Sequence, residues 1–165
     1  MQKKVYFCSM KMTLLVVGKT LDSRLSELIS EYTNRLGHYV PFSISVLPEL
    51  KNAKSLSTSQ QKQLEAEMIL KAVPSSAELI LLDEHGKEFR SIAFAQFLQK
   101  KMTSGKDIIF LIGGPYGFSD SVYQRANDLL SLSQMTFSHQ MIRLLFVEQL
   151  YRGFTILKGE PYHHE

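Results

Sequence analysis

Short β-branched or aliphatic runs alternate with longer amphipathic stretches along this chain. That is the pattern of an α/β domain with a mainly parallel sheet flanked by helices. Thr13 to Val17 predicts a first strand, ended by Gly18. Leu25, Leu28, Ile29, Tyr32 and Leu36 recur at helical spacing, so a helix is expected from about Asp22 to Leu36, with Gly37 as its stop. Phe42 to Leu47 reads as a second strand closed by Pro48, and the lysine-rich stretch Lys51 to Thr58 as a mobile loop. A second helix, about Ser59 to Val73, should bury Leu64, Met68 and Ala72. Glu78 to Leu82 predicts a third strand followed by a polar turn, DEHGK, and a third helix carries Ile92, Phe94, Ala95, Phe97, Leu98 and Met102 up to Gly105. Asp107 to Ile112 is almost uninterruptedly apolar, as in a strand buried on both faces, and stops at Gly113-Gly114-Pro115. A short helix near Ser119 to Leu130, an irregular segment SLSQMTF and a final helix from about His139 to Phe154 follow. Pro161 keeps the tail, KGEPYHHE, from being helical.

Composition narrows the class. With 165 residues, 44% of them hydrophobic and 21% charged, residues 1–165 are expected to form one domain that buries roughly two-thirds of its unfolded surface. Met10 opens MKMTLLVVGK, which runs straight into the first strand, so residues 1–9 read as a short extension or a misassigned start. They lack the apolar core and cleavage site of a signal peptide. No apolar run approaches the ~20 residues that a membrane span needs. The single cysteine, Cys8, excludes an intrachain disulfide framework and a Cys-cluster zinc site and fits a reducing, cytoplasmic compartment. A net charge of +3 allows contact with a phosphate backbone over a small patch only.

Several segments carry candidate chemistry. The two glycines at the end of IIFLI let backbone approach a ligand where open α/β sheets bind them. A dinucleotide fold would need GxGxxG after the first strand, where only Gly18-Lys19-Thr20 stands, and no P-loop is present. Asp83, Glu84 and His85 are adjacent in a turn and cannot all converge on one ion, so no metal is expected; Asp83 and Gly86 are either a simple polar turn or part of the lining of the same crevice. SLSQMTF offers backbone donors and acceptors to a base, or is a plain connection. The last helix is apolar on nearly every side, which predicts cover from a second subunit, a homodimer. On it His139 and Arg143 share one face and Glu148 and Arg152 another, the latter pair being either an ion pair or part of a site. In the tail Tyr162 could stack on a base, and a histidine could accept a proton or bind phosphate.

Taken together and in order, GGPYG, SLSQMTF, LLFVEQLYRGF and PYHHE resemble the SPOUT (α/β-knot) methyltransferases. Within that class the likeness is to the bacterial large-subunit enzymes that methylate N3 of a pseudouridine in 23S rRNA, and it covers about residues 10 to 165. The resemblance implies a SPOUT domain without an added RNA-binding domain, a deep C-terminal trefoil knot, and S-adenosyl-L-methionine bent within it. Carried over by position, the cofactor contacts would be Leu82, Gly113, Leu132, Ser133, Gln134, Met135, Thr136 and Phe137. His139, Arg143 and Tyr162 would meet substrate, His163 would accept the imide proton and Arg152 would stabilise the developing anion, with the role of His164 open. The dimer would be the catalytic unit. Because so few cations are available for free rRNA, the implied substrate is the assembled ribosome. The competing expectation is a noncatalytic RNA- or ribosome-binding α/β protein.

Overall fold

A computed structural model describes residues 10–164; the extension 1–9, with Cys8, and Glu165 lie outside the described residues. The first strand, β1 (Met12–Val17), ends at Gly18, which takes φ +76°, and Asp22 then caps α1 (Ser23–Leu36) by accepting the amides of Arg24 and Leu25. β2 (Phe42–Leu47) is followed by a single 3-10 turn, Ala53–Ser55, inside the stretch expected to be an irregular loop. A capping box between Ser57 and Gln60 starts α2 (Thr58–Ala72). β3 (Glu78–Glu88), α3 (Ser91–Met102), β4 (Ile108–Ile112), α4 (Asp120–Arg125), β5 (Asp128–Ser131) and α5 (Met141–Leu157) complete the order.

All five strands pair in parallel, in the order β2-β1-β4-β3-β5. Alternate residues of the central strands feed two cores. Leu14, Ile80 and Phe110 face a layer supplied by α1, α3 and α5, where Phe110 meets Phe146 at 4.8 Å between ring centres. Leu15, Leu79, Leu81 and Leu111 face the other layer, where Ala66, Ile69 and Val73 come from the α2 segment and Val122 from α4. The stripe expected on α2 was therefore misplaced: Leu64 is 40% exposed and Ala72 lies on the solvent side. Charged residues on both flanks of α2 leave two apolar faces, and periodicity alone does not choose between them.

Two other expectations are corrected. The helix expected to reach Leu130 ends at Arg125, and its distal half is β5. Asn127 makes the change of direction: its amide donates to the Leu79 carbonyl at 2.8 Å while its side-chain oxygen accepts the Leu79 amide at 2.8 Å, so it pairs like a strand residue before the strand begins. Lys101 of α3 then holds both Glu78 and Asp128, fixing the start of the edge pair. The segment DEHGK is likewise no simple turn. β3 continues through it with a register shift, since Leu82 and Lys87 both pair with Leu130, and Asp83 to Gly86 bulge out between them. Gly86 is required there, because a Cβ would stand 2.6 Å from the Leu130 backbone.

Candidate functional site

The carboxyl ends of β3, β4 and β5 open onto a cavity of about 390 Å³, the position at which open α/β sheets bind ligands. Leu82, Asp83 and Glu84 line one side, Ile112 to Pro115 the floor, and Leu130 to Ser133 with Met135 to His139 the other wall. The loop after β5 is braced from within: Ser131 Oγ donates to the Ser133 carbonyl, and Ser133 Oγ accepts the Met135 amide. Of the residues expected at a cofactor, Leu82, Gly113, Leu132, Ser133, Met135, Thr136 and Phe137 all line this cavity. Gln134 belongs to the same loop but is not among the lining residues. Met135 is 76% exposed, an apolar side chain left at the mouth.

Two carboxylates shape this end of the sheet: Asp83, which the sequence left between a polar turn and a lining residue, and Glu65, which it did not assign to the site. Asp83 is carried inward by the β3 bulge, with its side chain only 8% exposed. It accepts the Tyr123 hydroxyl at 2.5 Å, the His85 amide at 2.8 Å and the His85 Nδ1 at 2.9 Å. Burial pushes its pKa up, but these donors outweigh burial and hold the carboxyl below its ordinary range, while Tyr123, buried against it, is shifted upward. Glu65, on α2, accepts the Gly114 amide at 3.0 Å from behind the glycine turn, and a Cβ on Gly114 would come within 2.7 Å of its carboxylate. Burial raises the Glu65 pKa, and the Gly114 amide and nearby His139 offset only part of that. Nothing in local spacing marks Glu65, because its partner lies 49 residues away.

The residues expected at the substrate separate into three places. His139 lines the cavity. Arg143, expected to meet substrate, is turned inward and is 2% exposed. Its guanidinium donates to the carbonyls of Val17 and Gly18, to Thr20 Oγ1 and to the His139 carbonyl, so its task is to tie the end of β1 to the start of α5. Arg152, Tyr162 and His163 gather on α5 and the tail and are not among the cavity-lining residues. Arg152 forms the ion pair with Glu148 that its spacing suggested, at 2.6 Å, lies 4.8 Å from the Tyr162 ring centre and stands 3.3 Å from His163 Nδ1. Tyr162 also donates to Glu148 at 3.0 Å and meets Tyr151 edge-on. Burial and the bonds to Tyr32 and Glu148 push its pKa up, keeping the phenol protonated. Among the described residues no group of three or more His, Cys, Asp or Glu gathers as a metal site, and no helix is long and apolar enough to cross a membrane.

Comparison with known proteins identifies the family to which the fold belongs. Residues 10–163 match the family described as "Predicted SPOUT methyltransferase". A "Ribosomal RNA large subunit methyltransferase H" from Parabacteroides distasonis is 57% identical over 157 residues, covering 94% of this chain and 100% of the relative. Proteins of the same name from Bacteroides thetaiotaomicron (57%) and Flavobacterium johnsoniae (55%) match over the same shares. Among solved structures, a "Probable Methyltransferase" from Bordetella pertussis Tohama I shares the fold at a TM-score of 0.50 and 8% identity, over 90% of this chain and 95% of that one. The chain belongs to the SPOUT methyltransferase family.

The cavity fits the sulfonium nucleoside that such a family implies. Gly113 and Gly114 put bare backbone on its lining, and a braced irregular loop after β5 adds further backbone groups. No lysine or arginine lines the cavity, whereas Asp83 and Glu84 do, a donor set suited to a cationic rather than a phosphorylated ligand.

Proposed function

We propose that this protein is an S-adenosyl-L-methionine-dependent rRNA methyltransferase that methylates N3 of a pseudouridine in 23S rRNA on the assembled ribosome. It acts as a cytoplasmic homodimer of single-domain SPOUT chains, each with the deep C-terminal trefoil knot of the class. The observation that carries this reading is the cavity at the ends of β3, β4 and β5, lined by Leu82, Gly113, 132–133 and 135–137, all positions that the family likeness singles out. The names of the relatives support rRNA as the substrate. The separation of Arg152, Tyr162 and His163 from the cavity supports the dimer, in which one copy's tail completes the other's site.

S-adenosyl-L-methionine, when bound, supplies an electrophilic methyl carbon. The residues lining the cavity hold it in line with the acceptor nitrogen and keep water away, and positioning of this kind supplies much of the rate. Removal of the imide proton falls to the tail. An arginine N–H can only donate, so Arg152 facing His163 Nδ1 makes that nitrogen the acceptor and leaves the neutral ring's proton on Nε2. Movement of Arg152 onto the developing imide anion then opens Nδ1 to take the proton, coupling stabilisation of charge to its removal. Tyr162 stacks on the base and His139 meets it at the cavity mouth.

The test is transfer of labelled methyl from S-adenosyl-L-methionine to ribosomes lacking the modification, followed by mapping of the labelled nucleotide. Label at N3 of a 23S pseudouridine is the expected result. RNA or ribosome binding without label and without response to the cofactor would mark a noncatalytic binder instead.

A further inference from the structure

We propose that Asp83 selects the methyl donor over the demethylated product by charge, an inference that rests on the methyltransferase reading of the cavity. Methyl transfer breaks the bond between sulfur and the methyl carbon, and the bonding electron pair stays on sulfur. The sulfonium becomes a neutral thioether, while the methyl carbon bonds to the acceptor nitrogen, whose proton departs to a base. The amino and carboxylate groups of the methionyl tail cancel one another in both donor and product. The sulfonium is therefore the only net charge on the donor, and losing it is what makes the product different in charge.

The cavity is built to sense that difference. Its lining has two carboxylates and no lysine or arginine. Glu84 is 65% exposed, so water screens it, but the Asp83 side chain is 8% exposed, where a charge is felt more strongly. Three donors pin that carboxylate: the Tyr123 hydroxyl and the amide and ring of His85. They fix its position and keep it ionised, as the downward shift of its pKa indicates. Asp83 opens the β3 bulge directly after Leu82, and both residues line the cavity. A pinned anion at a cavity that no lysine or arginine lines favours a ligand with one net positive charge and releases the same ligand once that charge is gone.

The experiment measures binding to the full-length wild-type protein and to Asp83→Asn by calorimetry with three probes: S-adenosylmethionine, sinefungin, which carries an ammonium near the sulfonium position, and S-adenosylhomocysteine. The wild type is expected to bind both cationic probes about tenfold more tightly than S-adenosylhomocysteine. Asp83→Asn should bring the three affinities together, leaving S-adenosylhomocysteine within about twofold of its wild-type value, whereas Glu84→Gln should keep the preference. Equal affinity of the wild type for all three probes overturns the proposal, as does a preference that survives Asp83→Asn. So does an equal loss for all three, which would make Asp83 a ribose ligand or a structural group. If Asp83→Asn fails to fold, Tyr123→Phe replaces it, because loss of the hydroxyl unpins the carboxylate; the preference should narrow, and an unchanged one overturns the proposal. A wild type that binds none of the probes overturns the methyltransferase reading, and this inference with it.

Discussion

Two ionisable side chains hold backbone at the ligand end of the sheet, and their removal should have different signatures. Glu65→Ala takes away the acceptor for the Gly114 amide and should weaken cofactor binding about tenfold by calorimetry, whereas Glu65→Gln, which keeps an oxygen acceptor, should bind nearly as wild type. Both variants also lose a pH response that the wild type has. Because the folded pKa of Glu65 lies above its ordinary 4.5, its contribution to stability is fully present below that value and is lost as pH rises through the folded one. Urea unfolding of Glu65→Gln between pH 4 and 7 should lack that decline. Arg143→Met leaves the carbonyls of Val17 and Gly18 without a buried donor and should cost about 3 kcal/mol in the same assay. Helical spacing puts Arg143 on one face with His139, but α5 begins only at Met141, His139 is exposed while Arg143 is buried, and the arginine reaches only the His139 carbonyl. What spacing does not reveal is that this face turns into the molecule, because the carbonyls that draw it inward belong to the end of β1.

At the level of elements, β1, α1, β2, α3 and β4 lie within a residue or two of where the hydrophobic pattern puts them, since each is a local run with its own stop. The cavity walls contributed by β4 and by the 132–137 loop could likewise be located in the sequence, the first from two glycines closing an apolar strand and the second through family likeness. β5 and the β3 bulge were not legible. Val122, Tyr123, Ala126, Leu129 and Leu130 continue a helical period past Arg125, and only the pairing of Asn127 with Leu79 converts the remainder to strand. The bulge exists only in relation to Leu130 on that strand, so without the strand the sequence left Asp83 undecided between a polar turn and a lining residue. Gly86→Ala tests this dependence. Its Cβ would strike backbone rather than a yielding side chain, so the β3/β5 pair should separate, with loss of several °C in melting temperature and of cofactor binding together. A variant that melted as wild type would show that the bulge tolerates a side chain.

For the whole molecule, the decisive feature is that cavity and tail cluster are apart within one chain. Leu144, Leu145, Ile156 and Leu157 on α5 are only half-buried by their own chain, leaving apolar surface for a second copy. Complementation tests the arrangement. Gly113→Leu, whose side chain would crowd the Phe118 ring and distort the cavity, and Arg152→Ala, which disables the tail cluster, should each be inactive alone. When the two are unfolded together and refolded as mixed dimers, activity should reappear, because one of the two sites then draws an intact cavity from one copy and an intact tail from the other. No recovery would place both halves of the site in a single chain.

The clamp made by Arg143 also governs when activity can begin. Its partners Val17 and Gly18 are translated 126 and 125 residues before it, and Gln140, which bonds Lys19 and Leu21, is separated from them by 121 and 119. Early in biosynthesis the nascent polypeptide can form β1, α1 and β2, but the cavity wall after β5 has nothing to anchor it until α5 arrives. The newborn chain therefore cannot complete its cavity while it is still being made, and the wall is anchored only when its distant ends meet.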